Sequence, residues 1–366
     1  MKVLRTVMNK TKTTTASMLV LLSALGFYGC AVVGPQSITA GRGVYAEVIN
    51  RTEDEQILNV IVRQRYDETF GMMSVASVTA NLRFSAQAGT NIGIGDSDNY
   101  DGNLVPLSAG VAYEENPTIS YVPLSGEEFI RRMLSPVSVN QWVLLGGTAK
   151  HPGHVMALAT RRINGLRNPL LGEAPASPEF QRFVELYDRL RRAAVLDIVI
   201  APGSKSEGNY FWDIHDYEEA HGDSVRELFD LLGIEVKPDG SAIILPLREA
   251  VGSSVSAIHV QTRSAFAVLQ VFGTGIEIPP PHLEAGIVEP VTWAVPEERR
   301  FITIRSSEKR PDDATVQIRF RDRWFYIDAT DTLSKRAFVF LQTFIGMRLA
   351  DPGAAQQAPV LTVPVN

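Results

Sequence analysis

The chain has 366 residues, 41 of them acidic and 35 basic, which is enough for one large or two ordinary domains with a genuine core. Its net charge of −6 argues against nucleic acid or an anionic membrane surface as the main partner, since both select basic faces. A single cysteine excludes an internal disulfide, so stability has to come from burial.

The amino terminus reads as an address. Lys2, Arg5, Lys10 and Lys12 form a positive region, Met18 to Tyr28 an apolar run, and Gly29 a small residue before Cys30. This is the layout of a bacterial lipoprotein signal, so residues 1–29 are expected to be a signal peptide and Cys30 the lipid attachment site. A diacylglyceryl thioether and an acylated amino group there would anchor the chain at about 0.8 kcal/mol per buried CH₂. Two alternatives stay open: an ordinary signal peptide that leaves Cys30 as a free thiol, and an uncleaved anchor over Met18 to Gly34. The latter is short for a bilayer that asks for about 20 apolar residues. Four of the 35 basic residues and none of the acidic ones lie in the leader, so the remainder carries −10.

Residues 30–44 have the Gly, Pro and Ser content of a tether. Thr52 with Glu55 makes a capping box for a helix carrying Ile57, Leu58, Ile61 and Val62 and reaching about Tyr66. From Met72 the period becomes two: Val78, Ala80, Leu82 and Phe84 alternate with Thr79, Asn81 and Arg83, as in a half-buried strand. Residues 86–103 read as a solvated hairpin tip; Asp96 and Asp98 suit a calcium loop, but Tyr100 and Asp101 stand where oxygen and glycine are needed. Val111 to Val122 reads as two short strands broken by Glu114 to Pro117, and Ser125 with Glu128 as a cap for a helix that Pro136 closes.

A helical piece follows from Val139 to Leu145, then the turn-like stretch holding His151-Pro152-Gly153-His154. Residues 168–178 are the expected linker between an N-terminal domain, 45–167, and a C-terminal domain, 179–350. Beyond it come a helix bearing Phe180, Phe183, Leu186, Tyr187 and Leu190, a buried strand from Val195 to Ile200, a helix from Ser224 to Leu232, a strand from Ala242 to Leu245 and a helix from Ser264 to Phe272. Phe301 to Ile327 reads as strands with a turn at Arg321-Asp322-Arg323, and Phe325 and Ile327 are expected inward rather than Trp324 and Tyr326. Asp331 can cap the helix carrying Phe338, Leu341, Phe344 and Ile345, and in the tail, 351–366, the prolines of Pro359 to Val365 permit only an edge strand or an extended segment. The expected fold is α+β, two mixed domains with a C-terminal antiparallel hairpin or meander packed on helices.

The runs VRQRYDETFGMMSVASVTANLRFS, NPTISYVPLSGEEFIRRMLSP and RWFYIDATDTLSK, with the terminal PVLTVPV, resemble recurring blocks of a family of uncharacterised bacterial predicted lipoproteins. The resemblance implies a cell-envelope protein and carries over no catalytic residue. With Ala31 and no aspartate after the cysteine, similarity to sorted lipoproteins implies the outer membrane, with the body in the periplasm.

Two histidine arrangements are candidates for metal chemistry. His151 and His154 lack a nearby acidic residue in sequence, and an ordinary exposed turn explains them better. Residues 210–223 hold Asp213, His215, Glu218 and His221; on a helix His215 with Glu218, and Glu218 with His221, would share a face at i, i+3, and with Asp213 could clamp zinc or manganese. The favoured reading there is an amphipathic segment with Phe211, Trp212, Ile214 and Tyr217 toward the core. Asp328, Asp331 and Lys335 are better explained as a capped helix start than as an acid–base group. The expectation is therefore a lipid-tethered envelope module that works by binding another envelope protein or as a structural part, with no cofactor. A periplasmic metal enzyme using Asp213, His215 and His221 is the alternative.

Overall fold

The computed structural model describes residues 43–90, 107–124, 126–169, 177–200, 209–218, 220–236, 239, 241–291, 300–349 and 361–364. The leader, Cys30, the acidic tip 91–106 and most of the expected linker lie outside them. The chain divides into two compact units, 1–55 and 56–366. In the first, residues 43–55 are helical. Thr52 is therefore no cap: it sits inside the helix, its hydroxyl donating back to the Ile49 carbonyl at 2.9 Å.

The second unit is an α+β fold and opens on helical residues 56–65 (α1), whose Leu58, Val60, Ile61 and Val62 are fully buried. Strands β1 (Met72–Thr90) and β2 (Leu107–Leu124) then form one antiparallel ladder. Two expectations change here. Residues 86–90, read as loop, are strand, and β2 is continuous through Glu114 to Pro117, which pair with Arg83 to Ala80. Cross-strand pairing overrides the local breakers. Helix α2 (Glu127–Leu134) starts at Gly126 without a side-chain cap, and its Glu127 and Glu128 pair with Arg131 and Arg132 instead.

Helix α3 (Val139–Thr148) carries a capping box that the sequence reading passed over, Ser138 with Gln141. After it come α4 (Pro152–Ala159), β3 (Thr160–Ile163) and β4 (Leu166–Arg167). Helix α5 (Pro178–Arg192) has Ser177 at its N-cap and lines up Phe180, Phe183 and Tyr187, whose ring lies 5.7 Å from that of Trp212. Beyond β5 (Leu196–Ile200) and β6 (Tyr210–Ile214), helix α6 (Gly222–Leu232) stops at Gly233, whose φ of 64° suits glycine. Strands β7 (Ile243–Glu249) and β8 (Ile258–Thr262) and helices α7 (Ala265–Gly273) and α8 (Pro280–Glu284) complete this part.

One six-stranded sheet, in the order β4-β3-β8-β7-β6-β5, is antiparallel except between β7 and β8. Both halves of the expected two-domain division contribute strands to it. Its inward residues, among them Ile163, Trp212, Ile214, Leu245, Ile258 and Val260, are buried.

The last part holds β9 (Arg305–Ser307), β10 (Ala314–Phe320), β11 (Arg323–Asp328) and α9 (Thr332–Leu349). The expected strand at Phe301 to Arg305 shrinks to Arg305–Ser307, because Ile302 and Ile304 are held by the segment at Gly275. Ile304 donates to the Gly275 carbonyl, and a side chain on Gly275 would fall 2.2 Å from the Ile302 oxygen, so only glycine fits. Arg321 and Asp322, with φ of 46° and 60°, make the two-residue turn between β10 and β11. The sheet order is β10-β11-β9, a hairpin with a third strand on its far edge. Phe325 and Ile327 are fully buried, as the alternation implies, and Tyr66 packs edge-on to Phe320 and Phe325. Asp331 accepts from the Ser334 N–H at 3.0 Å, the cap read from sequence. Strand β12 (Leu361–Pro364) pairs with β2 at the edge of the long hairpin, where its Pro364 is tolerated; Pro359 lies outside the described residues. No helix of the described residues is long and apolar enough to cross a membrane.

Candidate functional site

Helix α4 is apolar and buried on every side; only His154 is exposed. Such a helix has no amphipathic period, so its ends need partners. Pro152 occupies the first turn, where its missing N–H costs nothing. The Gly153 N–H donates to Asp188 Oδ1 of α5 at 3.0 Å, a carboxylate at the positive end of the helix. At the other end, the buried Arg263 guanidinium donates to the carbonyls of Ala157 and Leu158 at 3.1 Å each and to that of Asn168. Burial pulls the Arg263 pKa down to about 10, so it remains a cation at neutral pH, at the negative end of the helix dipole. The Asn168 amide adds bonds to Ala157 O at 2.7 Å and Thr160 O at 2.8 Å.

The helix so held presents its N-terminal turn to a cavity of about 360 Å³. Leu145, Val155, Leu158, Phe301, Val339 and Phe340 make much of its wall. Its polar lining is basic: Lys150, His151 and His154 from the α4 side, Lys335 and Arg336 from α9. The His151 and His154 rings lie 5.3 Å apart, and His154 meets the Phe301 ring edge-on at 6.4 Å. Arg336 Nη1 is 3.3 Å from His151 Nε2; because a guanidinium can only donate, this contact requires that nitrogen to carry no proton. The His154 pKa is held below the ordinary 6.5, first by loss of water, then by His151 and Arg336, with Asp188 pulling the other way. Lys335 is turned to the Ala329 carbonyl at 3.0 Å. Among the described residues that line it, an anion entering this cavity meets cations and no carboxylate.

The sequence reading of this stretch as an exposed turn is therefore corrected: Pro152 and Gly153 start a helix, and the acidic neighbour of His154 comes from Asp188, on another element. Only the pairing of Pro at the first helical position with a following apolar run signalled it.

The other cluster behaves differently. Residues 210–214 are strand, because alternate Tyr210, Trp212 and Ile214 are drawn into the core, so the helical spacing of His215, Glu218 and His221 does not arise. Asp213 lies in β6 opposite Asp197, and His215 Nδ1 is 3.1 Å from Asp216 Oδ2, with its Nε2 3.8 Å from Asp197 Oδ2. That Asp216 bond, and then the charges of Asp213, Asp216 and Asp197, raise the His215 pKa. His221 stands at the N-cap of α6 without a side-chain capping bond. Among the described residues no three His, Cys, Asp or Glu side chains converge on a point that could hold a metal ion. Asp328 turns to Thr330 at 2.6 Å and Asp331 to Ser334, as a capped helix start requires.

No protein-family model matches the chain, and neither the curated proteins nor the solved structures include a match.

Proposed function

We propose that this protein is a cell-envelope lipoprotein, tethered to the outer membrane through Cys30 with its body in the periplasm, and that it works as a binding module for a single-chain anionic amphiphile. The cavity between α4 and α9 carries the reading: apolar walls for an alkyl chain, and Lys150, His151, His154 and Arg336 for a carboxylate or phosphate head. Its volume falls in the range of small-molecule sites, about 300–1,000 Å³. Each methylene taken from water contributes roughly 0.8 kcal/mol, and the basic lining fixes the orientation. The layout of Lys2 to Gly29 before Cys30 supports the tether.

The test is a titration of the purified full-length protein with dansyl-labelled undecanoate in a non-ionic detergent. Binding weakened by about tenfold or more in Arg336→Glu, which costs at least about 1.4 kcal/mol, with Arg226→Glu on α6 unaffected, is the expected result. Equal binding by both variants overturns the ligand assignment. Intact-mass measurement of the mature chain tests the anchor separately: it should begin at Cys30 with added lipid, and cleavage elsewhere with a free thiol refutes it.

A further inference from the structure

Strands β1 and β2 contain 19 and 18 residues, against a usual strand length of about 5–6. Their ladder runs without a break from Met72↔Leu124 to Thr90↔Leu107 apart from one bulge between Val75 and Ser77. Above that bulge it reaches about 45 Å at roughly 3.3 Å per residue. No such length is needed to cover the core of this body, and a two-stranded ribbon gains little stability by itself.

The register sorts the residues of this ladder into two sets. Val78 opposite Ile119, Phe84 opposite Tyr113 and Ala86 opposite Val111 fall at one set of alternate positions. Thr79 opposite Thr118, Asn81 opposite Asn116 and Arg83 opposite Glu114 fall at the other. Strand faces alternate with period two, so the first set belongs to one face and the second to the opposite one. From Val78 to Ala88 every β1 residue of the first set is apolar, and across from them Glu115, opposite Leu82, is the one charge. The second set is polar or small, and its charges Arg83 and Glu114 stand opposite each other.

A strand that crosses a bilayer needs about 9–11 residues, with apolar residues toward lipid at every second position and polar ones toward a lumen. Val78 to Ala88 meets that requirement in both length and pattern. The edges fit as well. Strand β12 pairs with β2 only from Tyr121 to Thr118, so above Thr118 the outer edge of β2, like the outer edge of β1, has no partner strand among the described residues. In lipid an open edge is excluded, because each unpaired N–H and C=O costs several kcal/mol. When β2 of one copy lies beside β1 of the next, the two run antiparallel, and repetition of that joint closes a ring.

We infer that the β1–β2 hairpin is a membrane-spanning element, and that copies of this chain join β2 to β1 to close a β-barrel whose Val78–Phe84–Ala86 face meets lipid acyl chains and whose Arg83–Glu114 face lines the lumen. This activity, passage through an oligomeric pore, does not depend on the cavity ligand or on lipidation of Cys30.

The chain's single cysteine makes the test clean. In a Cys30→Ala background, Phe84→Cys and Arg83→Cys are each labelled with bimane, and the full chain is reconstituted into phosphatidylethanolamine–phosphatidylglycerol vesicles containing mid-chain doxyl lipid. The inference expects loss of most of the fluorescence at position 84 and little at position 83. It also expects discrete ion conductance across planar bilayers and an oligomer in detergent. Far-ultraviolet circular dichroism confirms that both labelled chains are folded. Equal quenching of the two labels in folded protein, or a monomer without conductance that washes off the vesicles, overturns it; in the first case the apolar face packs on protein rather than lipid. As a further check, Arg83→Glu should shift the pore toward cation selectivity, and unchanged selectivity counts against a luminal position for that face.

Discussion

The Asp188 carboxylate accepts the Gly153 N–H at 3.0 Å, and a methyl group built on Gly153 would fall 2.8 Å from Asp188 Cβ. The same approach that gives helix α4 its N-terminal anion leaves no room for a side chain there. Since His154 follows directly, this contact sets the position of one wall of the basic cavity.

Gly153→Ala is accordingly expected to destabilise the body by about 1–3 kcal/mol, because the clash is with Asp188 Cβ, near the α5 backbone, and not with a mobile chain end. Asp188→Asn keeps an acceptor for the N–H but loses the ion pair with Arg192 at 2.8 Å, and should cost less, about 1 kcal/mol. Urea midpoints of the two variants check the order, and a milder effect for the glycine change would show that α4 can shift without penalty.

Arg263→Met tests the other end of α4. Ala157 O keeps its bond from the Asn168 amide, whereas Leu158 O and Asn168 O lose the guanidinium in a buried place. Two carbonyls so stranded should cost roughly 2–4 kcal/mol, reduced by relief of the buried charge, whose Nε has no hydrogen-bond partner among the described residues. Thermal unfolding measures the loss. A variant as stable as the parent would mean that water fills the vacated space.

In the C-terminal hairpin, Phe325→Ala should cost about 3–5 kcal/mol, since Phe325 is fully buried and touches the Tyr66 and Phe320 rings. Trp324→Ala should cost about 1 kcal/mol, the scale of its contact with the Arg310 guanidinium at 5.4 Å. Denaturant midpoints that reverse the order would place the inward face wrongly.

The pH dependence has a definite sign. His154 and His282 both have pKa values lowered from 6.5, in each case first by loss of water. The unfolded chain therefore binds more protons, and their contribution is lost as pH falls from about 6.5 through the folded values. His154 faces His151, Arg336 and Asp188, while His282 bonds Tyr66 Oη at 2.7 Å and feels Arg323 and Arg321. At the alkaline end, burial pushes Tyr66 and Tyr187 from 10.0 to about 12, so stability should decline again as the pH rises above 10.0 and the unfolded tyrosines ionise. His282→Gln, which leaves Tyr66 a partner, should flatten the acid limb; an unchanged acid limb would remove His282 from the account.

Elements with a local period were legible in the sequence. The stripe from Phe180 to Leu190, the apolar run from Ser264 to Phe272, and the alternation from Val316 to Ile327 name α5, α7 and the β10–β11 hairpin directly. Helix α4 was not legible, because a segment buried all round has no polar face to set a period. Strands β3 and β4 are too short to read alone and exist through their neighbours in the sheet. The cavity was invisible for the same reason: His151 and Arg336 meet across 185 positions, a closure that no local pattern encodes. In the 210–223 stretch the favoured core-facing reading holds for Trp212, Ile214 and Tyr217, which are buried, whereas strand alternation puts Tyr210 inward and leaves Phe211 half-buried.

Strand β12 pairs with the base of β2, and most of the α+β body lies between the two in the chain. Without Leu361 to Pro364 the edge of β2 at Thr118 to Tyr121 would stand open to strand addition by whatever extended segment is nearby, so this short pairing keeps the base of the hairpin closed to foreign strands.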